Sequence, residues 1–175
     1  MRKRREARER ALQFLFQVDL NPPSNPVELA AAIDQFWDNT RMNAEMEARG
    51  HVATYGEKIE LPPPSTEEAA TRIFADLLIR GVLERRPELD ERIKKYARNW
   101  DLHRMAVVDR NIMRLAIYEM LYRDDIPPIV SINEAVDIAK KFSTSDSGKF
   151  VNGILDQIKG EVLRPARTAK EGAAS

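Results

Sequence analysis

Apolar residues recur at spacings of three and four along almost the whole chain, and this period limits the fold more than any other feature. The spacing matches the turn of an amphipathic α-helix that buries one face. No segment alternates apolar and polar residues as a half-buried strand does. The chain of 175 residues is also long enough to bury a helical core without a metal or a disulfide. The sequence therefore predicts an all-α fold.

Seven amphipathic segments, separated by proline, glycine and polar turns, are the predicted helices. They begin near Lys3, Pro26, Thr66, Pro87, Met105, Ser131 and Ser147. Three of these starts combine a side chain that can cap a helix N-terminus with a glutamate three residues later. The pairs are Asn25 with Glu28, Ser65 (or its neighbour Thr66) with Glu68, and Ser131 with Glu134.

The apolar positions of the third and fourth segments predict which faces are buried. The predicted buried face of the third helix contains Ile73, Phe74, Leu77 and Leu78. Gly81 lies on the same face, and its missing side chain would let a second helix approach closely. The fourth helix is predicted to bury Leu89, Ile93, Tyr96, Ala97 and Trp100.

Two stretches depart from the helical period. Residues 39–64 contain two glycines and three consecutive prolines, so we predict a long loop or an insertion there. Residues 165–175 begin with proline and consist mostly of small and charged residues, which predicts a flexible C-terminal tail. The predicted single domain therefore covers residues 1–164.

Charge is balanced over the whole chain but not along it. Lysine plus arginine and aspartate plus glutamate both number 28, so the net charge makes no case for nucleic acid. The first ten residues, however, contain six cations and only two carboxylates. The cations are Arg2, Lys3, Arg4, Arg5, Arg8 and Arg10. Such a patch suits a nucleic acid, and an ordinary solvated helix end is an equally good interpretation at this point.

Several classes of chemistry lack the residues that they need. The chain has no cysteine, which excludes disulfides, thiol nucleophiles and cysteine-based zinc sites. His51 and His103 are far apart in sequence, and neither lies in a metal-binding pattern. Segment Ser145–Lys149 ends in Gly-Lys, but the rest of a phosphate-binding loop is missing. We therefore predict no metal, no cofactor and no enzymatic activity.

The chain also lacks the apolar segments that would direct it to a membrane. Its basic N-terminus has no apolar run typical of a signal peptide. No stretch approaches the roughly 18 consecutive apolar residues of a membrane span. We therefore predict a cytoplasmic protein with no membrane partner.

Six motifs occur in the same order as in a known family. They are Arg4–Glu9 with Ala11–Gln13, Val108–Ile112, Leu115–Glu119, Ile126–Pro128, Ile132–Val136 and Lys149–Asp156. Together with Leu77–Leu83, these motifs are distributed over most of the chain, from Arg4 to Asp156, and in them the chain resembles the NusB family. Residues 39–64 depart from the family pattern as a longer insertion.

The resemblance implies a compact fold of two small helical subdomains and a role in transcription. NusB proteins act in transcription antitermination and ribosomal RNA synthesis. They bind boxA RNA together with NusE, a small-subunit ribosomal protein, and the pair joins an RNA polymerase elongation complex. The partners expected from the resemblance are therefore boxA RNA, NusE and the antitermination complex of RNA polymerase.

The resemblance also implies site residues. The RNA-binding set is Lys3, Arg4, Arg5, Arg8, Gln13, Asp146, Lys149 and Phe150. The residues expected to face NusE are Phe16 and Glu119. Arginine suits single-stranded RNA because its guanidinium holds phosphates and stacks on bases. Some residues also have ordinary alternatives, since Phe150 could belong to the core, Asp146 could cap the last helix, and Glu119 could be an exposed carboxylate.

Two other functions remain open from the sequence. NusB-like domains also occur fused to RNA methyltransferases, although this chain has no glycine-rich cofactor loop and no cysteine nucleophile. Some members of the family self-associate, so the basic surface could instead be covered in a homodimer. Periodicity does not separate the two cases, because an apolar interface and a core face have the same pattern.

Overall fold

The chain is mainly helical in the residues that the structure, a computed structural model, describes: 2–50, 60–98 and 100–173. The helices are α1 (Arg2–Leu20), α2 (Pro26–Arg49), α3 (Thr66–Glu84), α4 (Arg86–Tyr96), α5 (Val107–Tyr122), α6 (Pro128–Phe142) and α7 (Ser145–Ala173). A short 3-10 helix, Leu102–Arg104, precedes α5. These ranges contain no strand. The predicted all-α class and the number of helices are therefore confirmed.

Helix α5 lies at the centre of the fold and packs against α1, α3, α4, α6 and α7. It is buried on nearly every side, so its interior residues include polar ones as well as apolar ones. The buried residues are Asp109, Asn111, Ile112, Met113, Arg114, Leu115, Ala116, Ile117, Glu119 and Met120. Each buried charge on this helix needs a partner from another element.

Helix α2 contacts α1 and α3 through aromatic side chains. The rings of Phe36 and Phe14 meet edge to face with their centroids 5.5 Å apart. The indole nitrogen of Trp37 donates a hydrogen bond of 2.8 Å to the Asp76 carboxylate on α3. Helix α2 is therefore joined to α1 and α3 by side chains, and all seven helices contribute to one hydrophobic core.

Two of the three predicted caps are confirmed. The Asn25 side chain accepts a hydrogen bond of 2.9 Å from the backbone N–H of Glu28. Ser65 and Glu68 form the reciprocal capping box that their spacing predicts. The third cap is wrong, because α6 begins one turn earlier at Pro128, where the ring already has a helical φ.

The predicted loop at 39–64 is wrong over its first eleven residues. Helix α2 continues to Arg49 and ends at Gly50, whose φ of 64° is the left-handed conformation that closes many helices. Residues 39–49 are rich in alanine, glutamate, methionine and arginine, which favour a helix without an apolar face. The apolar period is lost after residue 38 because this part of α2 extends beyond the core. Residues 51–59 lie outside the described residues, and 60–65 have no regular structure.

The end of the last helix also differs from its prediction. Helix α7 passes through position 165 and ends at Ala173, so the proline does not end it. The domain bounds and the flexibility of residues 165–175 stay predictions.

The buried face of α3 is rotated from the predicted one. Leu78 is buried as expected, together with Ala75, Ile79 and Val82. In contrast, Ile73 and Leu77 are exposed over more than half of their surface. Trp100 is also exposed, because α4 ends at Tyr96 and the chain turns away before the indole.

Gly81 allows the close approach of two helices, as its position predicts. A Cβ atom at this residue would lie only 2.1 Å from Cζ of Tyr118 on α5. Real Cβ atoms do not approach a ring so closely. The tyrosine ring therefore fills the space that the glycine leaves.

Asp19, near the end of α1, joins α1 to α4 and α5. Its carboxylate accepts hydrogen bonds from Arg86 at 2.6 Å, Arg110 at 2.9 Å and Asn111 at 2.9 Å. Arg114 adds a contact of 3.2 Å, and the Asp19 side chain is 2% exposed. Burial alone would raise the pKa of Asp19, but these hydrogen bonds and charges hold it below its ordinary value.

Candidate nucleic-acid interface

The first basic residues of α1 lie at the surface in weak ion pairs. The Lys3 ammonium lies 3.0 Å from Glu67 of α3, and both side chains are mostly exposed. The Arg4 guanidinium lies 3.7 Å from Asp125, which follows α5. Exposed pairs of this kind contribute only about 0–1 kcal/mol. Both cations can therefore exchange their carboxylates for the phosphates of a nucleic acid at little cost.

Arg5 is held more firmly than its neighbours. Its guanidinium donates hydrogen bonds of 2.6 Å to Glu134 and 2.8 Å to Asp137, both on α6. The hydrogen bond to Glu134 raises the pKa of Arg5 further above its ordinary value. Because two carboxylates bind this cation, α1 is fixed against α6, and Arg5 is less free than Arg4 to turn toward a ligand.

Arg8 and Glu119, which the resemblance assigns to RNA and to NusE, contact each other in the interior. Both oxygens of Glu119 accept hydrogen bonds from Arg8 Nε, at 2.7 and 3.2 Å. Glu119 is 1% exposed and Arg8 is 5% exposed. Burial raises the pKa of Glu119, while the Arg8 guanidinium opposes the shift. In this structure neither side chain has a surface for an outside partner, and the pair instead holds α1 on α5.

The ring of Phe74 contacts three guanidinium groups at the same end of the molecule. Its ring centroid lies 5.0 Å from Arg4, 5.5 Å from Arg8 and 5.1 Å from Arg123. Each distance is within the range of a cation–π contact. The sequence predicted Phe74 to be a core residue. In the structure it is half-buried, and the exposed Arg4 guanidinium lies over its ring.

Gln13 and Phe16 lie farther along α1. The Gln13 side chain accepts a hydrogen bond of 3.2 Å from Arg10 at a groove between α1 and α2. The Phe16 side chain is 39% exposed, which is compatible with its expected contact to a protein partner. These two residues therefore do not lie in the cluster of cations at the start of the helix.

Side-chain hydrogen bonds of Thr144 and Ser147 hold the turn before α7. Thr144 Oγ1 accepts a hydrogen bond of 3.1 Å from the backbone N–H of Ser147, so Thr144 caps the helix and the proposed cap by Asp146 is wrong. The Ser147 hydroxyl in turn donates to the buried Asp109 carboxylate at 3.0 Å. Asp146 and Lys149 are exposed, and Phe150 is half-buried. The exposed members of this turn can reach a ligand.

Helix α6 connects the start of α1 to the start of α7, and it adds cations that the sequence analysis missed. Lys141 Nζ lies 3.0 Å from a Glu9 oxygen on α1. A Cβ atom on Gly148 of α7 would lie 2.9 Å from the Lys140 side chain, so these two helices are in close contact. We call the exposed cations of this region the basic surface: Lys3, Arg4, Arg5, Lys140, Lys141 and Lys149. The two adjacent lysines at the end of α6 are the signal in the sequence that could have indicated this surface.

Other kinds of site find no support in the described part of the chain. There, no group of three or more His, Cys, Asp or Glu side chains is arranged to hold a metal ion. None of the helices described is both long and apolar enough to cross a membrane.

Comparisons with known proteins agree with the motifs and with the helical fold. The model of the NusB family matches residues 5–159. The transcription antitermination protein NusB of Thermodesulfovibrio yellowstonii is 38% identical over 173 residues, which are 97% of this chain and 99% of that protein.

Two solved structures have a similar fold. NusB of T. maritima superposes with a TM-score of 0.65 and 34% identity, covering 90% of this chain and 91% of that one. A second structure, of the antitermination factors NusB and NusE in complex with double-stranded RNA, gives a TM-score of 0.62 and 25% identity over 92% of this chain and 98% of that one. The family match and the long relative therefore agree over nearly the whole chain.

Proposed function

The chain belongs to the NusB family, and on that premise we propose that it is a transcription antitermination factor. It binds boxA-containing RNA together with NusE in RNA polymerase elongation complexes and supports ribosomal RNA transcription. We also propose that the protein acts in the cytoplasm and that it binds its partners without catalysing a reaction. The names of the relatives and the solved complex of NusB, NusE and RNA support it.

The basic surface is the observation on this chain that carries the RNA-binding part of the proposal. Its cations come from α1, α6 and α7, and three of them, Lys3, Arg4 and Lys141, face solvent in weak pairs. A phosphate that replaces an exposed carboxylate gains a charge-assisted hydrogen bond and releases counterions. We assign phosphate contacts to Lys3, Arg4 and Lys149, with the lysines at the end of α6 beside them.

Two predicted site residues have a different role in this proposal. Because Arg8 and Glu119 are buried against each other, they position the N-terminal helix and touch neither RNA nor NusE. Phe16 remains the α1 residue that we propose for the NusE contact.

Replacing two exposed cations of the basic surface is expected to weaken RNA binding in a salt-dependent way. Arg4→Ala combined with Lys149→Ala removes two phosphate contacts, so the slope of log affinity against log salt falls by about 0.7 per contact. Fluorescence anisotropy with a boxA RNA over a salt series measures both quantities. Melting temperature is expected to stay near that of the unmodified protein, because both side chains are exposed.

The matched control removes one arginine and one lysine elsewhere. Arg49→Ala combined with Lys94→Ala likewise removes two exposed cations, at the end of α2 and on α4. Its salt slope is expected to equal that of the unmodified protein. If the two double variants have the same affinity and the same slope, the basic surface is not the RNA-binding surface.

A further inference from the structure

Trp100 is a large aromatic residue that is mostly exposed at the surface. Its large indole is 57% exposed and lies four residues beyond the end of α4. Together with Tyr96, Arg98, Phe150 and Gln157, it lines a shallow pocket of about 450 Å³. An aromatic patch held open in this way is typical of a binding surface.

The pocket borders the basic surface. Phe150 lies on α7 directly after Lys149 and one turn after Asp146, both of which are exposed. The Arg98 side chain is also exposed. The chain therefore places an exposed lysine of the basic surface directly beside an aromatic residue that lines the pocket.

The geometry of the rings determines how a flat ligand can bind. The centroids of Trp100 and Phe150 are 6.2 Å apart with an angle of 56° between the rings. This separation is that of rings in direct contact, so no third ring fits between them. More than half of the indole surface is exposed, so part of the ring remains accessible to a ligand. A planar group can stack there while the Gln157 amide and the Arg98 guanidinium bind its polar edge or a neighbouring phosphate.

We infer that the Trp100 pocket binds an unpaired base of the RNA. A nucleobase combines the features that the pocket offers partners for, namely an apolar face, a hydrogen-bonding edge and an adjacent phosphate. The inference rests on the proposed function and extends the RNA path from Lys149 across Phe150 to Trp100, Arg98 and Gln157. The contribution of stacking on the indole does not itself depend on salt, unlike the phosphate contacts.

Trp100→Ala is expected to weaken binding of the boxA RNA by roughly 5- to 100-fold, the range for losing one stacked base. The salt slope stays unchanged because a base carries no charge. Trp100→Phe keeps an aromatic face and is expected to bind within about threefold of the unmodified protein. Leu77→Ala, which removes an exposed apolar side chain on α3, is the matched control and is expected to have no effect. Circular dichroism and melting curves establish that each variant folds.

Intrinsic fluorescence gives a second readout that does not depend on an affinity change. The chain has two tryptophans, and Trp37 is buried. In Trp37→Phe, Trp100 is the single fluorophore, and a base stacked on its indole quenches the emission. The quenching is expected to follow the same binding curve as anisotropy.

The outcomes separate the inference from the proposed function. Unmodified protein that binds boxA RNA, with Trp100→Ala binding equally well and no quenching, overturns the inference and leaves the proposed function intact. Absence of RNA binding by the unmodified protein overturns both. A loss of NusE binding or of self-association in Trp100→Ala, with RNA binding unchanged, also overturns the inference and assigns the pocket to a protein.

Discussion

Arg8→Met is expected to lower the free energy of unfolding by about 3–5 kcal/mol, measured by urea denaturation. The substitution keeps the apolar stem but leaves the Glu119 carboxylate buried without its cation. Both side chains are almost completely shielded from water, so solvent cannot replace the lost partner. A charge in this position has no low-cost alternative other than protonation.

The double variant Arg8→Met with Glu119→Leu removes both members of the buried ion pair. Removing both charges avoids an unpaired buried group, so most of the lost stability is expected to return. Arg10→Met, on the same helix but only partly buried, is the control and is expected to change stability by less than about 0.5 kcal/mol. If Arg8→Met is as mild as the control, the buried ion pair does not hold α1 on α5.

The same double variant also tests the role of Arg8. A folded Arg8→Met, Glu119→Leu protein is expected to bind boxA RNA within about threefold of the unmodified protein, because Arg8 does not reach the surface. A large loss of RNA affinity with unchanged melting behaviour would show that Arg8 contacts RNA directly.

Asp19→Asn is expected to cost about 3 kcal/mol of unfolding free energy at neutral pH. This value is at the low end for a broken buried pair, because Asp90 continues to bind Arg114 at 2.6 Å. The isosteric amide retains the shape of the side chain but removes the negative charge shared by Arg86, Arg110 and Arg114. Glu91→Gln, at an exposed position on α4, is the control and is expected to be nearly neutral.

The cost of Asp19→Asn is also expected to depend on pH in a defined direction. The folded-state pKa of Asp19 lies below its value in the unfolded chain, which is about 3.9. Its contribution is therefore fully present above about pH 4 and is lost as pH falls through the folded-state pKa. Unfolding curves of both proteins between pH 7 and pH 3 are expected to converge toward low pH. A difference that stays constant or grows on acidification would mean that Asp19 is not stabilised as an anion.

The sequence predicted the features that depend on local spacing. The helical period, the caps at Asn25 and Ser65 and the close approach at Gly81 all follow from residues a few positions apart. These signals are strong because backbone geometry alone determines them. In α3, by contrast, two neighbouring rows are apolar, and their period does not tell which row faces the core. Ile73 and Leu77 belong to the row that stays in solvent.

The site was less predictable because long-range contacts decide the environment of each arginine. Arg4 and Arg8 lie one turn apart in the same motif, yet Arg4 is exposed and Arg8 is buried. The difference comes from Glu119, a residue 111 positions away. The resemblance could assign both arginines to RNA by position alone, whereas their burial separates a surface cation from a structural one. Lys141 joins the surface for the same reason, through its contact with α1.

The most direct test of the proposed function is fluorescence anisotropy with a boxA-containing RNA and a scrambled RNA of equal length. Each titration is made with and without the cognate NusE. The proposal predicts preferential binding of boxA RNA and a further gain in affinity when NusE is present. Equal, weak binding of both RNAs that NusE does not change would contradict it and would leave only a nonspecific basic surface.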